Sequence, residues 1–127
     1  MPLVRISLRA GKSPEYRRAV ADSVHDAMVA TIGIPAADRF QVITEHGADG
    51  LIYDPAYLGI KRSDDVVFVQ ITLSTGRTVE IKKALYAKIA ENLANRVGLR
   101  KEDVFVNLVE VAKENWSFGN GEAQYAG

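Results

Sequence analysis

Proline at position 2 is the residue of this chain with the most direct chemical potential. Met1 followed by a small residue is the setting in which an initiator methionine is trimmed, and trimming leaves Pro2 with a free secondary amine. An N-terminal amine titrates near ~8, and burial or a neighbouring cation lowers that value by disfavouring the charged form. Such a group can take or give a proton near neutral pH. The plainer reading is that Pro2 only opens the first strand, where a missing N–H costs no ladder bond. Other chemistries lack their residues. There is no cysteine, hence no thiol nucleophile, disulfide or zinc thiolate. His25 and His46 are the only histidines, fall in no ligand-spaced cluster and read as structural, so no metal is expected. A Ser/His/Asp arrangement has no supporting elbow or spacing.

Composition sets the frame for that amine. A chain of 127 residues suits one domain spanning 1–127, with 47% hydrophobic and 25% charged residues as in an ordinary soluble globule. Lys plus Arg and Asp plus Glu number 16 each, and the basic residues are scattered, so nothing recommends nucleic acid or an anionic membrane as partner. No apolar run reaches the length of a membrane span and no signal segment opens the chain, which makes a cytoplasmic setting the default expectation.

An internal repeat supplies the elements that must position Pro2. Residues 2–46 align without a gap on residues 67–111. Val4, Ile6 and Leu8 fall on Val69, Ile71 and Leu73, Gly33 on Gly98, Asp38 on Asp103, Phe40 on Phe105 and Glu45 on Glu110. Each unit reads strand, helix, strand. Leu3 to Leu8 and Val66 to Leu73 alternate and are rich in β-branched residues. Ser13-Pro14-Glu15 and Thr78-Val79-Glu80 are helix starts, and Gly33 and Gly98 stand where left-handed C-caps are wanted. Val20, Val24, Met28 and Ile32, then Leu85, Ile89, Leu93 and Val97, form apolar stripes. Phe40 to Glu45 and Val104 to Val111 return as strands parallel to the first of each unit.

The predicted fold is α+β: duplicated β-α-β units forming a four-stranded sheet with two helices on one face. The other face carries Arg5, Ser7, Gln70, Thr72 and Asn107 beside Phe68 and Phe105, and association with further copies is the simplest cover for it. Residues 47–65 read as a connecting loop. The tail, 113–127, carries Trp116, Phe118 and Tyr125 among glycines, and these aromatics are expected to pack on their own domain or a neighbour, or to wall a pocket.

Taken together, Met-Pro-Leu at the start, the duplication, Pro35-Ala36-Ala37-Asp38-Arg39 before the second strand, Gly76-Arg77-Thr78 before the second helix and Trp116-Ser117-Phe118-Gly119 near the end resemble the tautomerase superfamily. Within it the chain is most similar to the malonate semialdehyde decarboxylase group. The resemblance implies a homotrimer, no cofactor, and an N-terminal proline acting as acid or base on small keto or enol acids. It matches Pro2 to the catalytic proline, Arg77 to an arginine holding the substrate carboxylate, Asp38 to an assisting aspartate, and Trp116 and Phe118 to an apolar wall. Tyr125 joins that wall as a substrate-binding candidate. A guanidinium at a strand-to-helix turn suits a carboxylate, although Lys12, its repeat mate, permits a plain solvated cation there. Asp103 likewise allows Asp38 a merely structural role.

One departure matters. The decarboxylases carry two arginines flanking a proline after the third strand, whereas this chain reads Ser74-Thr75-Gly76-Arg77. That leans toward the Gly-Arg-Ser/Thr turn of 4-oxalocrotonate tautomerase-like members and toward keto–enol interconversion of 2-oxo acids. Decarboxylation or hydration of a three-carbon acid is the alternative, and a non-catalytic ligand-binding or structural oligomer of ferredoxin-like type is a third. Arg39, Arg62 and Arg5 are candidates for a second cation.

Overall fold

The structure, a computed structural model, describes residues 2–127. Strand β1 (Leu3–Arg9) leads into helix α1 (Pro14–Ile32) and strand β2 (Gln41–His46). After the connecting loop come β3 (Val67–Ser74), α2 (Val79–Val97) and β4 (Val104–Val111). The sheet order is β2-β1-β3-β4, with β1 parallel to β2, β3 parallel to β4, and β1 antiparallel to β3. The duplicated β-α-β architecture is therefore the one expected.

Local signals explain the helices. Ser13 Oγ accepts the Tyr16 N–H and Thr78 Oγ1 accepts the Ile81 N–H, while Gly33 and Gly98 close the two helices in the left-handed conformation. The repeat extends to ion pairs: Arg17 meets Glu45 at 2.7 Å in the first unit, and Lys82 meets Glu110 at 2.9 Å at the matching positions of the second.

The core lies between the helices and one sheet face. Val4, Ile6, Leu8, Val69, Ile71 and Leu73 point inward and meet Val20, Val24, Met28, Leu85, Ile89 and Leu93, all buried. Burying each such side chain stabilises by about 1.5–3 kcal/mol. The opposite face leaves Phe40, Val42, Phe105 and Val109 exposed among Arg5, Gln70 and Asn107.

Antiparallel pairing of β1 with β3 has one consequence for chemistry. Leu3 stands opposite Thr72, so the start of β1 and the end of β3 lie side by side at one end of the sheet's central strands. Pro2 and the Ser74–Arg77 turn are brought to that end by register.

Candidate active site

Pro2 is buried, yet it lines a cavity of about 220 Å³ with Leu3, Phe40, Trp116, Ser117 and Phe118. The walls are mostly apolar, a setting that disfavours a charged amine. Removal of Met1, on which a free amine depends, concerns a residue outside those described.

Arg77 lines a neighbouring cleft of about 500 Å³ with Ser74, Thr75, Lys113, Gln124 and Tyr125. Gly76 precedes it at φ +124°, a conformation that side chains rarely adopt, so the glycine sets the direction in which Arg77 leaves the strand. Its guanidinium donates to Ser74 O at 3.0 Å, and no acidic partner meets it among the described residues. Lys12, at the repeat position, differs: its ammonium is held by Asp65 at 2.8 Å, and hydrogen bonding to that carboxylate raises its pKa. The first-unit cation is paired with a carboxylate, and the second-unit cation meets none among the described residues.

The tail lies between the two openings. Trp116 stacks on Phe118 with ring centroids 5.4 Å apart, and Phe118 meets Tyr125 edge-on at 4.7 Å. Trp116 Nε1 donates to Ser74 Oγ at 3.0 Å, and Gln124 ties its end of the tail back to Phe118 N and Gly119 O. The three aromatics thus pack on their own chain and wall the clefts: Trp116 and Phe118 on the Pro2 side, Tyr125 on the Arg77 side.

Asp38 closes the turn ahead of β2, its N–H donating to Pro35 O at 3.0 Å. Val4 N donates to Phe40 O at 3.0 Å, which places the turn at the Pro2 end of β1. The Asp38 side chain lines neither cleft, and its buried Oδ1 has no hydrogen-bond partner among the described residues.

None of the arginines considered as a second cation reaches Arg77's cleft. Arg39 is committed to Asp22 and Gln41, Arg62 to the carbonyls of Asp54, Tyr57 and Ile60, and Arg5 lies exposed on the outer sheet face. Lys113 stands there instead. It belongs to the tail, outside the repeat, so no spacing signal linked it to Arg77. Among the described residues no His/Asp/Glu group could hold a metal ion, and no helix is long and apolar enough to cross a membrane.

Two family models, both described as tautomerase enzyme, match residues 38–119 and 2–61. The chain belongs to the tautomerase family. It is 43% identical over 98% of both chains to the probable tautomerase YusQ of Bacillus subtilis (strain 168). Among solved structures, FG41 malonate semialdehyde decarboxylase inhibited by 3-bromopropiolate is 46% identical, with a TM-score of 0.91, covering 98% of this chain and 94% of that one. A fused 4-OT wild type symmetric trimer is 28% identical at a TM-score of 0.80, with 98% of each chain covered. This tautomerase-family chain is accordingly an enzyme of isomerase or decarboxylase type.

Proposed function

We propose that the protein is a cofactor-independent tautomerase of small 2-oxo acids, with Pro2 as the proton-transferring group. The observation that carries this reading is the placement of Pro2 in an apolar cavity beside, and tied through Trp116 and Ser74 to, a cleft holding an uncompensated Arg77. Arg77 anchors the substrate carboxylate by charge-assisted hydrogen bonds. The neutral amine of Pro2 takes the enol O–H proton and returns a proton to C3, giving the ketone. Asp38 assists as a buried acceptor near the Pro2 end of the sheet. Trp116, Phe118 and Tyr125 bound the substrate and exclude water, which favours the neutral form of the amine.

Similarity to the decarboxylase favours a second reading on the same residues. With Pro2 protonated, the ammonium polarises the aldehyde oxygen of a three-carbon 3-oxo acid. The C1–C2 bond then breaks, carbon dioxide leaves, and the enolate takes up a proton at carbon.

The assembly proposed is a homotrimer, as in the fused 4-OT structure, with neighbouring copies covering the outer sheet face. Ketonisation of phenylenolpyruvate, followed by ultraviolet absorbance for the mature protein and for Pro2→Ala, tests the first reading. Carbon dioxide release from malonate semialdehyde tests the second. Equal ketonisation rates in the two proteins would remove Pro2 from the mechanism.

A further inference from the structure

We infer that His25 is the positioning residue that leaves the Asp38 carboxylate free for the reaction, an inference that rests on the catalytic reading of Asp38 given above. The two units build the same turn: Asp38 N donates to Pro35 O at 3.0 Å, and Asp103 N donates to Arg100 O at 3.0 Å. What fastens each turn differs.

In the second unit the aspartate does the fastening. Asp103 is 1% exposed, and both of its oxygens are engaged by Ser63, Oδ1 accepting from the backbone N at 2.7 Å and Oδ2 from Oγ at 2.6 Å. Ser63 stands shortly ahead of Val67, the counterpart of Pro2, and no described residue of the first unit matches it. Among the described residues no donor meets Asp38 Oδ1, although that oxygen is buried.

The first turn is fastened through its backbone instead. His25, 4% exposed on α1, donates from Nε2 to Ala36 O at 2.8 Å. A carbonyl oxygen only accepts, so Nε2 carries the hydrogen, and the buried Nδ1 has no partner among the described residues. The helix residue at the matching place in α2 is Ala90, which offers no donor, and Lys101 O, counterpart of Ala36 O, accepts from Val104 N within its own turn. On the other flank Arg39 binds Asp22 at 2.6 Å and Gln41 at 2.8 Å, and Gln41 in turn donates to Ala21 O at 2.8 Å. Clamps on both sides of Asp38 hold its backbone without engaging Oδ1. His25 lines neither cleft, so its role is to position Asp38 and not to touch substrate.

A double-mutant cycle tests this. Ketonisation rates and thermal unfolding are measured for the wild type, His25→Phe, His25→Gln, Asp38→Asn and the two double variants. His25→Phe should lower kcat by roughly 10- to 100-fold, the effect of a displaced group, with KM little changed. In the Asp38→Asn background the same change should add almost nothing. His25→Gln, which keeps an N–H donor, should recover part of the rate, and it carries the same cycle if the Phe variant does not fold. Multiplying effects in the double variants, or full kcat in the folded His25 variants while Asp38→Asn is impaired, would overturn the inference alone. Wild-type kcat in Asp38→Asn would overturn the catalytic reading of Asp38 and the inference with it.

Discussion

Trp116 donates its indole N–H to Ser74 Oγ at 3.0 Å, which ties the aromatic tail to the end of β3, directly ahead of the turn that carries Arg77. The same indole lines the Pro2 cavity. Trp116→Phe keeps an apolar wall and removes the donor. It should lower stability by about 1 kcal/mol, the typical worth of one hydrogen bond, read from the urea midpoint. Trp116→Ala, which also opens the cavity, should reduce kcat/KM further than Trp116→Phe.

Arg77 and Lys12 occupy matching places, but only Lys12 is held by an acid. Arg77→Ala should therefore lower kcat/KM by roughly 10- to 100-fold, the equivalent of about 1.5–3 kcal/mol for hydrogen bonds to a charged group. Lys12→Ala should leave kcat/KM unchanged. Steady-state kinetics on the two variants make the comparison.

Asp38 and Asp103 should separate stability from activity. Asp103→Ala strands the Ser63 N–H and hydroxyl in a part-buried place and should cost about 2–4 kcal/mol of stability while folded protein retains its rate. Asp38→Ala removes a carboxylate whose Oδ1 has no partner among the described residues, so it should cost under ~1 kcal/mol yet reduce kcat. Denaturant curves and kinetics on the pair test both halves.

Acid stability should depend on Asp22. The hydrogen bond from Arg39 holds its carboxyl below the ordinary value of 3.8, against the opposing effect of burial. A depressed folded-state pKa contributes stability that is present above the unfolded-state value and is lost as pH falls through the folded-state value. The urea midpoint of Asp22→Asn should therefore lie below that of the wild type above about pH 4, and the gap should close at lower pH.

Phe105 lies on the outer sheet face, 45% exposed beside Val109 at 37%. If neighbouring copies cover this face, Phe105→Asp should shift the sedimenting species from trimer to monomer while the far-ultraviolet dichroism of the fold persists.

Much of this architecture was legible because the duplication repeats residue types that act locally. N-caps, C-cap glycines and apolar stripes each depend on neighbours in sequence, whereas the Arg17–Glu45 and Lys82–Glu110 pairs join residues distant in sequence and emerge only in the folded units. The contents of the site were less legible. Asp38 and Asp103 look equivalent until Ser63, distant in sequence, engages only the second. His25 reads only as structural in the sequence because its partner, Ala36 O, lies beyond the end of its helix. The place of Lys113 and the division between the Pro2 and Arg77 clefts both depend on the path of a tail with no periodicity.

The central claim is that the free secondary amine of Pro2 moves the proton. The most direct measurement compares phenylenolpyruvate ketonisation by protein with a free Pro2 amine and by protein whose amine is blocked by a retained preceding residue, with both N-termini verified by mass and both folds by dichroism. The account predicts a loss of at least ~100-fold on blocking, the lower end of what general acid–base catalysis supplies. An unchanged rate in the blocked protein would contradict it.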